Sequence, residues 1–138
     1  MIQSIHSTLA YAILAVLTIA VINAFLGLSA KRNFTQKDRS LSLIALILSH
    51  IQLVVGLILW FDSPLGKAAM SQMSNSVMRL TAVEHPLTNI IAIVLITIGW
   101  SKHKKEISSN GKFKKIGIFY ALGLILFLSR IPWSNWLA

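Results

Sequence analysis

The stretch LAYAILAVLTIAVINAFLGL, Leu9–Leu28, decides the fold class of this chain, because it runs for twenty residues without a charge. A helix needs about 20 apolar residues to cross the hydrocarbon core of a bilayer, so this run is long enough to span one. Similar runs follow along the chain. We therefore predict an all-α integral membrane protein, a single domain of four transmembrane helices in an up-down antiparallel bundle. The predicted helices are 5–29, 41–61, 80–101 and 115–133.

The composition excludes several other classes of protein. Of the 138 residues, 55% are hydrophobic and 12% are charged, which is about half the charged fraction of an average globular chain. So high an apolar content also excludes a disordered chain. The chain has no cysteine, which excludes a disulfide scaffold, iron–sulfur clusters, thiolate zinc sites and covalently attached heme.

The positive charge is concentrated in two connections. Ten of the 13 Lys and Arg residues lie in the loops 31–40 and 101–115, which share one side of a four-helix protein. The positive-inside rule places these loops in the cytoplasm and both termini outside. The formal charge of +9 is therefore interpreted as topological, with the loops facing anionic lipid headgroups rather than nucleic acid.

Three histidines fall at or near lipid depth, where an ionisable side chain is costly and usually functional. They are His6 before the first run, His50 within the second and His85 near the outer end of the third. His103 lies in a lysine-rich loop and is expected to be solvated. The helix faces that continue from His6 and His85 carry mostly small residues, which suit close helix packing or a flat cofactor. As diagonal neighbours in the bundle, these two helices can face each other.

The second run offers two competing faces. One is a stripe of small and polar residues, and the other carries His50 among large apolar residues. We expect His50 to face inward, because a lipid-facing histidine has no partner. The stripe would then contact a neighbouring helix or a second subunit. It consists of Ser42, Ala45, Ser49, Gln52 and Gly56.

Histidines on different helices, in a chain without cysteine, suit bis-histidine heme b. We expect His85 to be one axial ligand and either His6 or His50 to be the other.

Arg79 and Arg130, at the outer helix ends, are candidates to hold the heme propionates, although they equally fit ordinary interfacial anchors. Lys67 is a weaker candidate for that role. Trp133 and Trp136 are predicted to belong to the aromatic belt.

The segment Glu84-His85-Pro86 is the most unusual local feature. Thr81 and Glu84 match a capping box, so the third helix is expected to begin near Thr81. Pro86 has no N–H, so the carbonyl of Ala82 would be left for a cofactor, water or a neighbour to satisfy. Glu84 is interpreted as a capping residue paired with Arg79. Orienting His6 and relaying protons are its alternative roles.

These residues resemble a known family. The strings are HSTLAY at 6–11, SHIQLVVGLIL at 49–59, EHP at 84–86, IAIVLITIGW at 91–100 and RIPW at 130–133. The chain resembles the small four-helix bacterial membrane proteins often labelled cytochrome b, and more distantly one half of a heme A synthase. The resemblance implies bis-histidine heme binding, a bacterial cytoplasmic membrane and a homodimer that replaces two fused halves. In heme A synthases, a glutamate precedes the ligand histidine by three residues and an arginine follows it. Here glutamate directly precedes His85 and proline follows, a departure that bears on synthase chemistry rather than on heme binding.

Three functions compete at this point. The first is a b-type cytochrome that exchanges electrons with a membrane quinol or a respiratory partner. The second is a heme-free metal protein with ligands from His50, His85, Glu84 and His6. The third is a non-catalytic assembly or interaction subunit. Hydrolase motifs are weak, since Ser49 and His50 are adjacent on a helix and point apart, with no acid nearby in sequence. Gly-rich phosphate loops and nucleotide-binding patterns are absent from the sequence.

Overall fold

A computed structural model describes residues 2–62 and 66–131, and this part of the chain is all-helical. A short 3₁₀ helix, Lys67–Gln72, lies in the connection between the second and third long helices. Trp133 and Trp136 lie outside the described residues. The long helices are α1 (Ile2–Ser29), α2 (Gln36–Asp62), α3 (Ser76–Lys105) and α4 (Ser109–Ser129).

Three of these helices, α1, α2 and α3, are long and apolar enough to cross a membrane. Their outward faces are apolar as well. Ile19 is 55% exposed, Leu26 63% and Val54 59%. The surface helix of a soluble protein carries polar residues on its outward face. The distribution found here is therefore consistent with a membrane protein.

The helices pack so that α1 lies against α2 and α4, while α3 packs most extensively against α4 and also contacts α2. Helices α1 and α3 therefore face each other across the diagonal, as predicted. The face that continues from His6 is buried at Leu17, Ala20, Ala24 and Gly27. The face that continues from His85 is buried at Ala92, Ile96 and Gly99.

The small residues of these faces serve close packing along most of the bundle. A Cβ atom at Gly27 would lie 2.5 Å from Cζ of Phe113, and one at Gly99 would lie 2.5 Å from Cβ of Phe119. Side chains of α4 thus fill the space that these glycines leave. Of the two uses predicted for small residues, close helix approach holds at these positions.

Buried polar contacts fix the end of the bundle where α1 turns into α2, which we call the basic end. Asp38 is only 4% exposed, and its carboxylate accepts hydrogen bonds from Asn23 (2.9 Å), Arg32 (3.1 and 3.2 Å) and the backbone N–H of Thr35 (2.8 Å). A buried carboxylate satisfied in this way staples α1, the turn and α2 together.

Several predicted boundaries are wrong. Helix α2 begins at Gln36 rather than at 41, so the second half of the predicted 31–40 loop is helical. Helix α3 begins at Ser76 rather than near Thr81, because Asn75 caps it by accepting hydrogen bonds from the backbone of Val77 (3.0 Å) and Met78 (3.2 Å). The predicted 101–115 loop is mostly helical, since α3 continues to Lys105 and α4 begins at Ser109. Its lysines therefore project from helix ends.

Candidate functional site

His6 and His85 meet at the end of the bundle opposite the basic end, which we call the histidine end. Their ring centroids are 6.3 Å apart and the ring planes are perpendicular. Both residues are half-buried. They are 79 positions apart in the sequence. The diagonal facing of α1 and α3 brings these two predicted site residues together.

The ring of His85 is oriented by two neighbours. Its Nδ1 lies 2.9 Å from the backbone carbonyl of Arg130, and a carbonyl can only accept, so Nδ1 carries the proton. The Nε2 atom is then the unprotonated nitrogen of the neutral ring. The side-chain amide of Asn89 lies 3.2 Å from this Nε2. The backbone acceptor fixes the tautomer and orientation of the ring, and the unprotonated Nε2 lies within hydrogen-bonding distance of the Asn89 amide.

His6 is held differently, through its backbone. The side-chain amide of Gln52 donates to the His6 carbonyl at 2.7 Å, which ties the start of α1 to α2. Gly56, one turn further along α2, leaves open the space beside the ring. A Cβ there would lie 3.4 Å from Cε1 of His6. The ring of His6 therefore sits against the small-residue stripe of α2.

Unpaired polar atoms are concentrated at this site. Among the described residues, three buried side-chain atoms have no hydrogen-bond partner: Nδ1 of His6, Oε1 of Gln52 and Oδ1 of Asn89. Each belongs to the histidine pair or to an amide that contacts it. A buried polar atom without a partner costs about 1–3 kcal/mol, so such atoms are rare and call for a ligand or water. These three atoms leave hydrogen-bonding capacity at the histidine end for water or a ligand.

The histidine pair supplies two imidazoles but does not by itself form a complete metal site. Metal–nitrogen bonds of about 2.0 Å, with the nitrogens about 1.1 Å from their ring centres, place two imidazoles on opposite sides of one metal with centroids about 6.2 Å apart. The observed centroid separation, 6.3 Å, is close to this value, and the two rings make a T-shaped contact. The described residues contain no group of three or more His, Cys, Asp or Glu side chains placed to hold a metal ion.

Glu84 forms ion pairs with Arg79 and Arg130, the two arginines predicted at this end of the bundle. Arg79 Nε lies 2.9 Å from one carboxylate oxygen, and Arg130 Nε lies 3.6 Å from the other. The predicted pairing of Glu84 with Arg79 is confirmed, whereas the capping role is not, because Glu84 lies in the second turn of the continuous helix. Lys67, the weaker candidate, places its ammonium 5.5 Å from the ring centroid of Phe61.

A π-helical turn precedes Pro86. It spans Leu80–Glu84 and lets the backbone N–H of His85 bond to the carbonyl of Leu80. Pro86 supplies no N–H to the carbonyl of Ala82, as predicted, and the indole Nε1 of Trp60 donates to that carbonyl at 2.7 Å. The partner left open at the sequence level is therefore a neighbouring side chain on α2. This contact anchors the turn that aims His85 inward.

Two predictions about histidines are wrong. His50 does not face inward; it is exposed, and its Nδ1 lies 2.9 Å from the Leu46 carbonyl of its own helix. The competing stripe is the buried face, with Ser42 3% and Ser49 0% exposed.

His103 is not solvated; it is 2% exposed, and its Nδ1 lies 2.6 Å from the carbonyl of Trp100.

Several residues that shape the histidine end were not predicted from the sequence to belong to the site. Gln52 and Asn89 were visible as amides within apolar runs, which was a usable signal, since an unpaired amide is costly there. The donor from Trp60 carried no such signal. Comparison with protein-family models, with curated proteins and with solved structures gives no match to this chain.

Proposed function

We propose that this chain is a b-type heme protein of the membrane, in which His6 and His85 would hold the heme iron. The observation that carries the proposal is the pair of facing imidazoles, 6.3 Å apart, surrounded by buried polar atoms that lack a protein partner. His50 is not part of this site, because its ring lies on the exposed face of α2.

The number of donors favours heme over a bare metal ion. A zinc site built from protein alone needs three or four ligands, whereas a porphyrin brings four nitrogens and asks the protein for two. The histidine pair offers two imidazoles, and the carboxylate of Glu84 is already paired with two arginines. The donor set therefore fits heme better than the heme-free metal site considered above.

The surrounding residues suit a redox role. Bound heme would supply one-electron transfer, for which a membrane quinol or a respiratory protein is the proposed partner. The Arg130 carbonyl that accepts from His85 Nδ1 makes the ring a better ligand. The Arg79 and Arg130 side chains, which are paired with Glu84, are the cationic groups that would hold the propionates.

The proposed setting is the bacterial cytoplasmic membrane. Apolar outward faces meet the lipid, and a fourth span, formed by α4, completes an up-down bundle. The basic end would face the cytoplasm by the positive-inside rule, with the histidine end and both termini outside. A homodimer is proposed from the family resemblance, with two copies in place of two fused halves.

The test is an absorbance spectrum of the full chain, purified from heme-replete cells. We expect a Soret band and reducible α and β bands. His6→Ala and His85→Ala should lose the low-spin spectrum, while His50→Ala, which alters an exposed histidine, should keep it. Added imidazole should restore the low-spin bands in the two ligand variants.

A colourless, folded wild-type protein would refute the proposal. If metal analysis of that protein then found stoichiometric zinc, copper or iron, the heme-free metal site would replace it. With neither heme nor metal, the polar atoms would be satisfied by water, and the assembly or interaction role would remain. Circular dichroism of each variant separates loss of ligand from loss of fold.

A further inference from the structure

The basic end contains a cavity of about 410 Å³ that the proposed heme site does not use. Three cationic side chains line it: Arg39 from α2, Lys104 from α3 and Lys112 from α4. Phe34 and His103 contribute its apolar and aromatic lining. Its size falls at the lower end of the range for small-molecule sites, about 300–1,000 Å³.

These cations have no carboxylate partner among the described residues. The chain has four acidic residues, and three of them are paired with other basic side chains. Asp62, the fourth, ends α2 at the opposite end of the bundle. Three cations that line one cavity and have no carboxylate partner of their own repel one another, and an anion bound among them would reduce that repulsion.

Contacts within the protein hold the cations in place. The guanidinium of Arg39 lies 5.2 Å from the ring centroid of Trp100, and the ammonium of Lys104 lies 6.0 Å from it. The ammonium of Lys112 donates to the carbonyl of His103 at 3.1 Å. Side chains already positioned lose less entropy when they bind a ligand, so the arrangement is preorganised. The cavity lies between the start of α2, the end of α3 and the start of α4.

An exposed apolar side chain at the basic end indicates which kind of molecule carries the anion. Ile107, in the connection between α3 and α4, is 100% exposed on the same end of the bundle. An isoleucine exposed at the same end of the bundle as a basic cavity fits a boundary where charged headgroups and acyl chains lie side by side.

We propose that this cavity binds a phosphate group, namely that of an anionic phospholipid headgroup. Arg39, Lys104 and Lys112 surround the phosphate, and Ile107 lies against the lipid. The site rests on the proposed membrane location but not on heme, since it lies at the opposite end from His6 and His85.

The experiment uses the full chain in phosphatidylcholine nanodiscs that contain a minor share of phosphatidylglycerol. Native mass spectrometry counts the phosphatidylglycerol that stays bound when the disc is removed. The cavity variant combines Arg39→Gln, Lys104→Gln and Lys112→Gln. The matched control combines Lys102→Gln, Lys105→Gln and Lys114→Gln, three exposed lysines outside the cavity, and removes the same charge.

The wild type and the control should retain phosphatidylglycerol, and the cavity variant should retain about tenfold less, as expected for three partly exposed ionic contacts. Equal losses in both triple variants would show general attraction to a basic surface and overturn the site. So would a wild type that holds no phosphatidylglycerol in preference to phosphatidylcholine.

A second arm separates the two sources of phosphate. Inorganic phosphate and glycerol phosphate are titrated into protein in pure phosphatidylcholine discs. If they bind with the same dependence on the cavity residues while the lipid does not, the lipid source is overturned. The single variant Lys104→Gln, at an exposed position, guards against misfolding of the triple variant. A colourless protein that still retains phosphatidylglycerol would refute the heme proposal and leave this one standing.

Discussion

The bond from Trp60 to the Ala82 carbonyl gives a sharp prediction, because Pro86 removes the usual donor to that carbonyl. Ala82 is 2% exposed, so water has little access to the oxygen once the indole N–H is gone. Trp60→Phe keeps an aromatic ring but leaves a buried acceptor unpaired, at a cost of about 1–3 kcal/mol. We expect the free energy of unfolding to fall by about 2 kcal/mol, or about 30-fold in the equilibrium constant.

A double-mutant cycle tests the reason for this loss. Pro86→Ala restores a backbone N–H four residues after Ala82, and this donor can bond to the carbonyl in place of Trp60. In that background, Trp60→Phe should cost less than about 0.5 kcal/mol, leaving a coupling energy of about 1.5 kcal/mol. Reversible unfolding in detergent, followed by circular dichroism, measures all four proteins.

Trp100→Phe is the control for the exchange of indole for phenyl, because no hydrogen bond of the Trp100 indole nitrogen is found in the described part of the chain. If Trp60→Phe costs the same with and without Pro86, then the tryptophan acts through packing, and the argument from the unpaired carbonyl is refuted.

Three further variants are tested by the same unfolding measurement. Tyr120→Phe removes a fully buried bond to the Ser42 carbonyl (2.8 Å) and should cost about 1–2 kcal/mol; an unchanged stability would show that water replaces the hydroxyl. Gly123→Ala places a Cβ 2.6 Å from Ile96 Cγ1 and 3.2 Å from a backbone oxygen of α3, so it should cost about 1–3 kcal/mol by separating the helices; a stabilising effect would contradict the close packing. Asp38→Asn removes the charge from a carboxylate that accepts from three residues, and should cost about 2 kcal/mol at neutral pH; a neutral result would show that the staple adds nothing to stability.

Much of the candidate site could be predicted because it depends on spacing along single helices. His6 and His85 each begin a face of small residues that repeats with the helical period, and this period survives folding. The unsatisfied carbonyl of Ala82 could be predicted as well, because a missing N–H is a local property of Pro86. The donor to that carbonyl could not, since it lies on another helix.

The orientation of α2 could not be predicted from the sequence. Cost at lipid depth favoured an inward His50, yet the small stripe is the buried face because it allows the other helices to approach closely. His50 meets part of its need for a partner within its own helix, through the Leu46 carbonyl. This contact within α2 lowers the free-energy cost of an outward-facing His50.

By itself, the sequence determined the helical class, the apolar spans and the two histidine faces, because composition and period act within one segment. Only the tertiary structure decided that His6 rather than His50 meets His85, that His103 is buried, and that three cations converge on one cavity. Each of these outcomes depends on how helices rotate against one another. That rotation is set by the shapes of facing surfaces, which no single segment of sequence contains.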